Sequence, residues 1–140
     1  GFIINEPKYI LETYEAVNEP NFSVLVDTCH AYMSAVMGAR HIEENRLEGG
    51  VVELINMLSG KIGCVHVIDS DGTLNVTATS THAPFGLGKI DFDEVIPALI
   101  DAGGFKGEWW AIDLCEWPDA WNAIRECKDF VDAFNQKYCG

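Results

Sequence analysis

Ile62-Gly63-Cys64-Val65-His66-Val67-Ile68 is a short apolar run broken by one imidazole, with Ser59-Gly60 before it and the turn chemistry of Asp69-Ser70-Asp71-Gly72 after it. Ser23-Val24-Leu25-Val26-Asp27 and Trp109-Trp110-Ala111-Ile112-Asp113 have the same form, apolar and then abruptly acidic. Runs this short and continuous read as strands covered on both faces, which is the habit of a parallel sheet.

Helical patterns fill the space between these runs. Glu6-Pro7 opens one with Ile10, Leu11, Tyr14 and Val17 on its apolar stripe, and Pro20 stops it. A second is expected from about Ala31 through Val36, Met37 and Ala39, dissolving at Glu43-Glu44-Asn45-Arg46, and a third from Gly49-Gly50 to Ser59-Gly60. Asp91 and Glu94 have capping-box spacing, which predicts the Asp91 side chain on the third amide and Glu94 reaching back. Val95, Ile96, Leu99 and Ile100 then form a buried stripe. Pro118 suits the first turn of a last helix whose stripe is Trp121, Ile124, Val131 and Phe134. The order α, β, α, β, α, β, α predicts an α/β fold, a parallel sheet covered by helices. Residues 69–89 form a polar connection longer than most, and loops of that length usually carry function or are disordered.

Composition narrows the functional classes. Nine Lys+Arg against 22 Asp+Glu give a formal charge of −13, a field that repels phosphate, so no nucleic-acid partner is expected. No run reaches the roughly 18 apolar residues of a membrane span. Five cysteines, an odd number without repeated spacing, predict a reducing, cytoplasmic compartment rather than a disulfide framework. The triplets Asn21-Phe22-Ser23 and Asn75-Val76-Thr77 read as chance glycosylation matches.

Each predicted strand ends in a residue able to bind metal or move a proton: Asp27, His66 and Asp113. Chemistry gathers at the carboxyl ends of parallel strands. Two carboxylates and an imidazole there suit a divalent cation, Mn²⁺ first and Mg²⁺, Co²⁺ or Zn²⁺ as alternatives. Taken singly, each has an ordinary reading, as a helix cap or a core histidine; three in succession favour a site. His30 stands three residues after Asp27 and could hold substrate oxygen or metal, and His82 lies in the long connection that could cover the site. Asp69 and Asp71 could orient the imidazole of His66, but turn chemistry is the plainer account. Gly86-Leu87-Gly88 reads as a turn, His41 as solvent-facing, and Trp117 as core or as a wall for a sugar ring. Cys64 shares a face with His66, leaving a softer zinc site as an alternative.

Val26-Asp27-Thr28-Cys29-His30, Val65-His66-Val67-Ile68-Asp69 and His82-Ala83-Pro84-Phe85-Gly86-Leu87-Gly88-Lys89-Ile90-Asp91-Phe92 together resemble the xylose-isomerase-like TIM-barrel superfamily of sugar isomerases, epimerases and endonuclease-IV-like enzymes. The resemblance implies Asp27, His66 and Asp113 as metal ligands. His30, His82 and Asp113 would be catalytic, and His30, His82 and Trp117 would bind substrate. Asp113 stands where that superfamily usually has Glu, one methylene longer. Its first metal-binding glutamate lies on a strand that would precede Gly1, and Glu6 is not assigned that role. Ser80-Thr81-His82-Ala83-Pro84-Phe85-Gly86 and Trp117-Pro118-Asp119-Ala120-Trp121 also resemble the catalytic subunit of C-glycoside deglycosidases.

The implied activity is metal-dependent isomerisation or epimerisation of a keto-sugar or polyol. Lyase-type cleavage of a 3-keto C-glycoside, phosphodiester hydrolysis and a non-catalytic half-barrel are the alternatives. A complete (β/α)₈ barrel needs about 250 residues. With 140 residues and three strands, the expectation is one unit over residues 1–140, the C-terminal half of a barrel with strands six to eight. The partners expected are a sugar or glycoside, an N-terminal half-barrel in a preceding segment or separate chain, and further copies in an oligomer.

Overall fold

The computed structural model describes residues 6–41, 45–105 and 110–139. Its elements are α1 (Pro7–Val17), β1 (Val24–Asp27), α2 (Thr28–Ala35), α3 (Gly50–Met57), β2 (Ile62–Val67), α4 (Phe92–Asp101), β3 (Ala111–Ile112) and α5 (Ala120–Phe134), which runs into a π-helical turn at Asn135–Cys139. The strands form one parallel sheet in the order β1-β2-β3. The predicted strands are found, the third shorter than expected; Trp109, placed at its start, lies outside the described residues.

Register determines what the sheet presents. Asp27 stands opposite His66 and Val26 opposite Val65, while His66 pairs on its other side with Ala111. Because strand side chains alternate, Leu25, Asp27, Cys64 and His66 share one face, and Val26, Val65 and Val67 share the other. The second face is the core side. Val65 and Val67 are buried there with Leu54 and Ile55 of α3, Ile96 and Leu99 of α4 and Phe134 of α5. Phe85 closes this core through edge and stacked contacts with Phe92, Phe130 and Phe134.

Local chemistry fixes the helix ends, and some differ from expectation. α1 carries Pro near its first position and ends at Asn18 in the left-handed conformation (φ 45°). α2 begins at Thr28, not Ala31, because the Asp27 side chain caps it by accepting the His30 N–H at 3.0 Å. It stops at Ala35, short of the charged stretch, and residues 42–44 lie outside the described residues. Asp91 caps α4 on the second amide, Asp93 N, rather than the third. Pro118 lies before the Asp119 N-cap of α5, outside its first turn. Trp121 does not join the buried stripe of α5; it is 89% exposed.

Burial separates two core substitutions that hydrophobicity alone would rank alike. Ile96→Ala removes a fully buried side chain and is expected to lower unfolding free energy by about 2–5 kcal/mol. Trp121→Ala is expected to change it by under about 0.5 kcal/mol, both measured by urea unfolding.

Candidate active site

The carboxyl ends of β1 and β2 and the residues after β3 bring Asp27, His66 and Asp113 together. His66 Nδ1 lies 3.5 Å from Asp27 Oδ2 and 3.3 Å from Asp113 Oδ2. One ligand atom from each of the three falls within 4.8 Å of the others. Each carboxylate divides its oxygens between two tasks. Asp27 Oδ1 caps α2, and Asp113 Oδ1 accepts the Cys115 N–H at 3.0 Å. The Oδ2 atoms both turn to His66. One oxygen of each acid therefore meets a main-chain N–H, and the other faces the imidazole of His66.

His82 belongs to the same cluster. Its Nε2 is 3.8 Å from Asp27 Oδ1 and its Nδ1 is 3.9 Å from Asp113 Oδ1, so the two histidines flank the two carboxylates. Only 5% of His82 is exposed, and neither ring nitrogen has a hydrogen-bond partner; Asp27 Oδ2 is likewise buried without one. Buried polar atoms without partners are costly, and a cluster of them at one point marks a place shaped for something to bind. Two carboxylate oxygens and imidazole nitrogen form a donor set that suits a divalent cation, so the residues present fit such an ion.

His30 packs edge-on against the His82 ring, with centroids 5.0 Å apart, and its Nδ1 lies 3.0 Å from Ser80 Oγ. Burial holds the His30 imidazole below the ordinary histidine range, with Asp27 pulling the other way. A cavity of about 410 Å³ opens beside β1 and reaches Asp27, His30 and Ser80 from an apolar side lined by Leu25, Val26 and Met33. Trp117 is half-buried against the second, smaller core of Cys29, Met33, Ile68, Leu114 and Cys127.

The long connection after β2 is ordered and folded over this end of the sheet. Leu74 bridges Ser80 in a small hairpin whose tip is fastened on two sides. Arg40 donates to the Ala78 carbonyl, and Glu116 accepts from Asn75 Nδ2 and from Thr77 Oγ1. Several side chains differ from the sequence reading. Asp69 makes no ordinary exposed turn; it is 2% exposed and gives its carboxylate to main-chain N–H groups of residues 70 and 86–90. Gly86-Leu87-Gly88 is the turn it holds. His41 is half-buried rather than solvent-facing. Among the described residues Cys64 is not part of any cluster whose ligand atoms converge, whereas Cys29 and Cys115 each lie near His82. Burial pushes the Cys29 thiol up to about 12, and its Sγ donates to the Thr81 carbonyl at 3.3 Å.

A family model for the xylose isomerase-like TIM barrel matches residues 1–132. The chain belongs to that family. The three-stranded parallel sheet with its flanking helices is accordingly a partial TIM barrel, and the clustered side chains lie at the carboxyl-terminal ends of its strands, the face where TIM-barrel active sites sit in general. Comparisons with curated proteins and with solved structures found no significant match. Among the described residues, no helix is long and apolar enough to cross a membrane.

All five cysteines are free, and their burial predicts their reactivity. Cys139 is expected to alkylate first in the native protein and exposed Cys115 more slowly, because desolvation and the nearby Asp113 and Glu116 push its thiol up, with Cys29 and Cys127 protected until unfolding. Mass spectrometry after timed iodoacetamide treatment reads the order; early labelling of Cys29 would contradict the closed loop over it.

Proposed function

We propose that this chain is part of a divalent-metal enzyme that isomerises or epimerises a keto-sugar or polyol. The observation that carries the reading is the cluster of Asp27, His66, Asp113 and His82, in which Asp27 Oδ2 and both His82 nitrogens are buried without partners, in a chain of the xylose isomerase-like barrel family. Asp27, His66 and Asp113 would hold the cation, with Mn²⁺ the first choice and Mg²⁺, Co²⁺ or Zn²⁺ alternatives. A bound cation of this kind supplies Lewis acidity toward a substrate carbonyl. The side chains do the rest. His30 Nε2 and the His82 ring provide donors and acceptors for substrate hydroxyls beside the carboxylates. A carboxylate oxygen of Asp113 or an imidazole nitrogen of His82 takes the proton next to the carbonyl and returns it to the neighbouring carbon or the opposite face.

The same proton abstraction followed by loss of a group one carbon further on gives lyase-type cleavage, the C-glycoside alternative. Product analysis separates them: a free ketose is interconverted in one case, and a 3-keto C-glycoside releases its aglycone in the other. Hydrolysis of a nucleic-acid phosphodiester fits less well with a formal charge of −13.

The barrel also sets an expectation about partners. Among the described residues β1 pairs on one edge only, Leu25 on the site face is half exposed, and the 410 Å³ cavity lies beside it. Barrels close by pairing every strand on both edges. Strands of an N-terminal half-barrel, from a preceding segment or a separate chain, would pair with β1, cover Leu25 and fill part of the cavity. A half-barrel that only stabilises such a partner would bind no metal.

Substitution at the cluster tests the reading directly. His66→Ala and Asp27→Asn are expected to abolish stoichiometric Mn²⁺ binding, followed by calorimetry and by the loss of free-ion Mn²⁺ signal quenching in electron paramagnetic resonance. Retention of one bound Mn²⁺ per chain in both variants would remove the site assignment.

A further inference from the structure

The ring of His82 is packed in place rather than bonded. Both nitrogens lack hydrogen-bond partners, and its aromatic neighbour His30 meets it edge-on. Its position between Asp27 and Asp113 therefore depends on the main chain on which it sits. Before His82 that main chain is held through Ser80 and Thr81, and after it by one side chain. Asp69 Oδ1 accepts the N–H groups of Ser70 at 2.8 Å and Ile90 at 3.1 Å, and Oδ2 accepts those of Gly86 and Gly88, each at 3.0 Å.

The backbone of Asp69 works with its carboxylate. Its N–H and carbonyl pair with the carbonyl and N–H of Ala83, the residue after His82, at 3.1 and 3.0 Å. Ser70 accepts the Lys89 N–H at 2.8 Å. Residues 83–90 are thus bound at both ends to residues 69 and 70. A buried carboxylate loses hydration and is stabilised here by charge-assisted bonds to oriented N–H groups, each stronger than a neutral bond. The glycines are part of the fit. Gly86 adopts φ +83°, and a Cβ on Gly88 would sit 2.1 Å from Asp69 Oδ1.

We propose that Asp69 is a positioning residue: by anchoring the 83–90 loop it places the His82 imidazole between the Asp27 and Asp113 carboxylates. The importance of that placement for catalysis rests on the proposed function, but the placement itself is measured without substrate or metal. Asp69→Asn keeps the shape and replaces one acceptor oxygen by an NH₂ facing N–H groups, so two of the four bonds are lost. Hydrogen exchange of the Gly86, Gly88 and Ile90 amides is expected to accelerate about 10–100-fold. Val65 and Val67 in β2 should keep wild-type exchange. Modification of His82 by diethyl pyrocarbonate, read by peptide mass spectrometry, should accelerate at least about tenfold on the same reasoning. Asp71→Asn, in the same turn but bonded only to Thr73, is the control and should leave His82 at the wild-type rate.

Faster amide exchange with an unchanged His82 rate would overturn the proposal, since Asp69 would then hold the loop and not the imidazole. If Asp69→Asn also loosens β2, Gly88→Ala decides, because its Cβ would meet Asp69 Oδ1 and so breaks the same anchor from the loop side while residue 69 keeps its carboxylate. Faster His82 modification in that variant supports the assignment and a wild-type rate overturns it. Loss or retention of Mn²⁺ in His66→Ala leaves all of these readouts unaffected, so the two readings fail separately.

Discussion

Parallel pairing of Asp27 with His66 is the constraint on which the site depends. It brings the ends of β1 and β2 level, so that a carboxylate and an imidazole leave the sheet side by side and on the same face. One step further along, the Thr28 hydroxyl donates to the Ile68 carbonyl at 2.6 Å and accepts the Ile68 N–H at 2.9 Å. That reciprocal pair carries the ladder past the last strand residue and keeps the two chains together where they would otherwise diverge. A slip of one residue in β1 would turn Asp27 into the packed face beside Val65 and Val67, away from His66, where it could not be satisfied.

Once the register is set, the carboxylates are oriented by main-chain demands rather than by one another. The first amides of a helix need acceptors, and Asp27 Oδ1 supplies one at the start of α2. Asp113 Oδ1 meets the turn after β3 in the same manner. Fixing one oxygen of a planar carboxylate fixes the direction of the other, so both Oδ2 atoms are aimed at His66 before anything binds. This orientation is obtained from ordinary secondary-structure chemistry: each strand-end acid meets a main-chain N–H with one oxygen and directs the other at His66.

Much of this was legible in the residues, and the remainder was illegible for identifiable reasons. The three apolar runs, their order and the acids and imidazole at their ends follow from local pattern, because a parallel strand covered on both faces is apolar throughout and its end is where polarity resumes. The start of α2 is not visible in the apolar pattern, because the strand-end acid Asp27 is itself the cap that lets the helix begin at Thr28. The burial of His82 and Asp69 was not readable from their neighbourhood, a stretch of Asp, Ser, Thr and Gly that looks solvated. Both are buried because residue 69 binds residues 83–90, a relation across at least 14 positions that no local periodicity records. The H-x-P-x-G-x-G spacing was the available signal, since Gly86 and Gly88 are the positions where the main chain approaches the Asp69 carboxylate. Trp121 failed the other way: helical spacing put it on the stripe of α5, but it lies at the first turn, beyond the edge of the core.

The hairpin over the site is a fixed wall rather than a hanging loop, and its backbone shows why. Arg40, Ala78 and Glu116 are non-glycine residues with φ of 60°, 59° and 60°. Such conformations cost about 1–3 kcal/mol each and persist only where the surroundings enforce them. Here two belong to the fasteners and one to the fastened: Arg40 donates to Ala78, and Glu116 gathers Asn75 and Thr77. Asn75 also accepts from Thr77 and Thr79 through its Oδ1, so the tip is closed upon itself before it is tied to either side. Strain placed at the contacts of one clasp indicates that the position of the hairpin is specified, and with it Ser80, which meets His30. His30 and His82 are therefore both set by this connection, His30 against Ser80 at the base of the hairpin and His82 by the loop anchored by Asp69. The ring nitrogens of His82 are left uncommitted by either attachment.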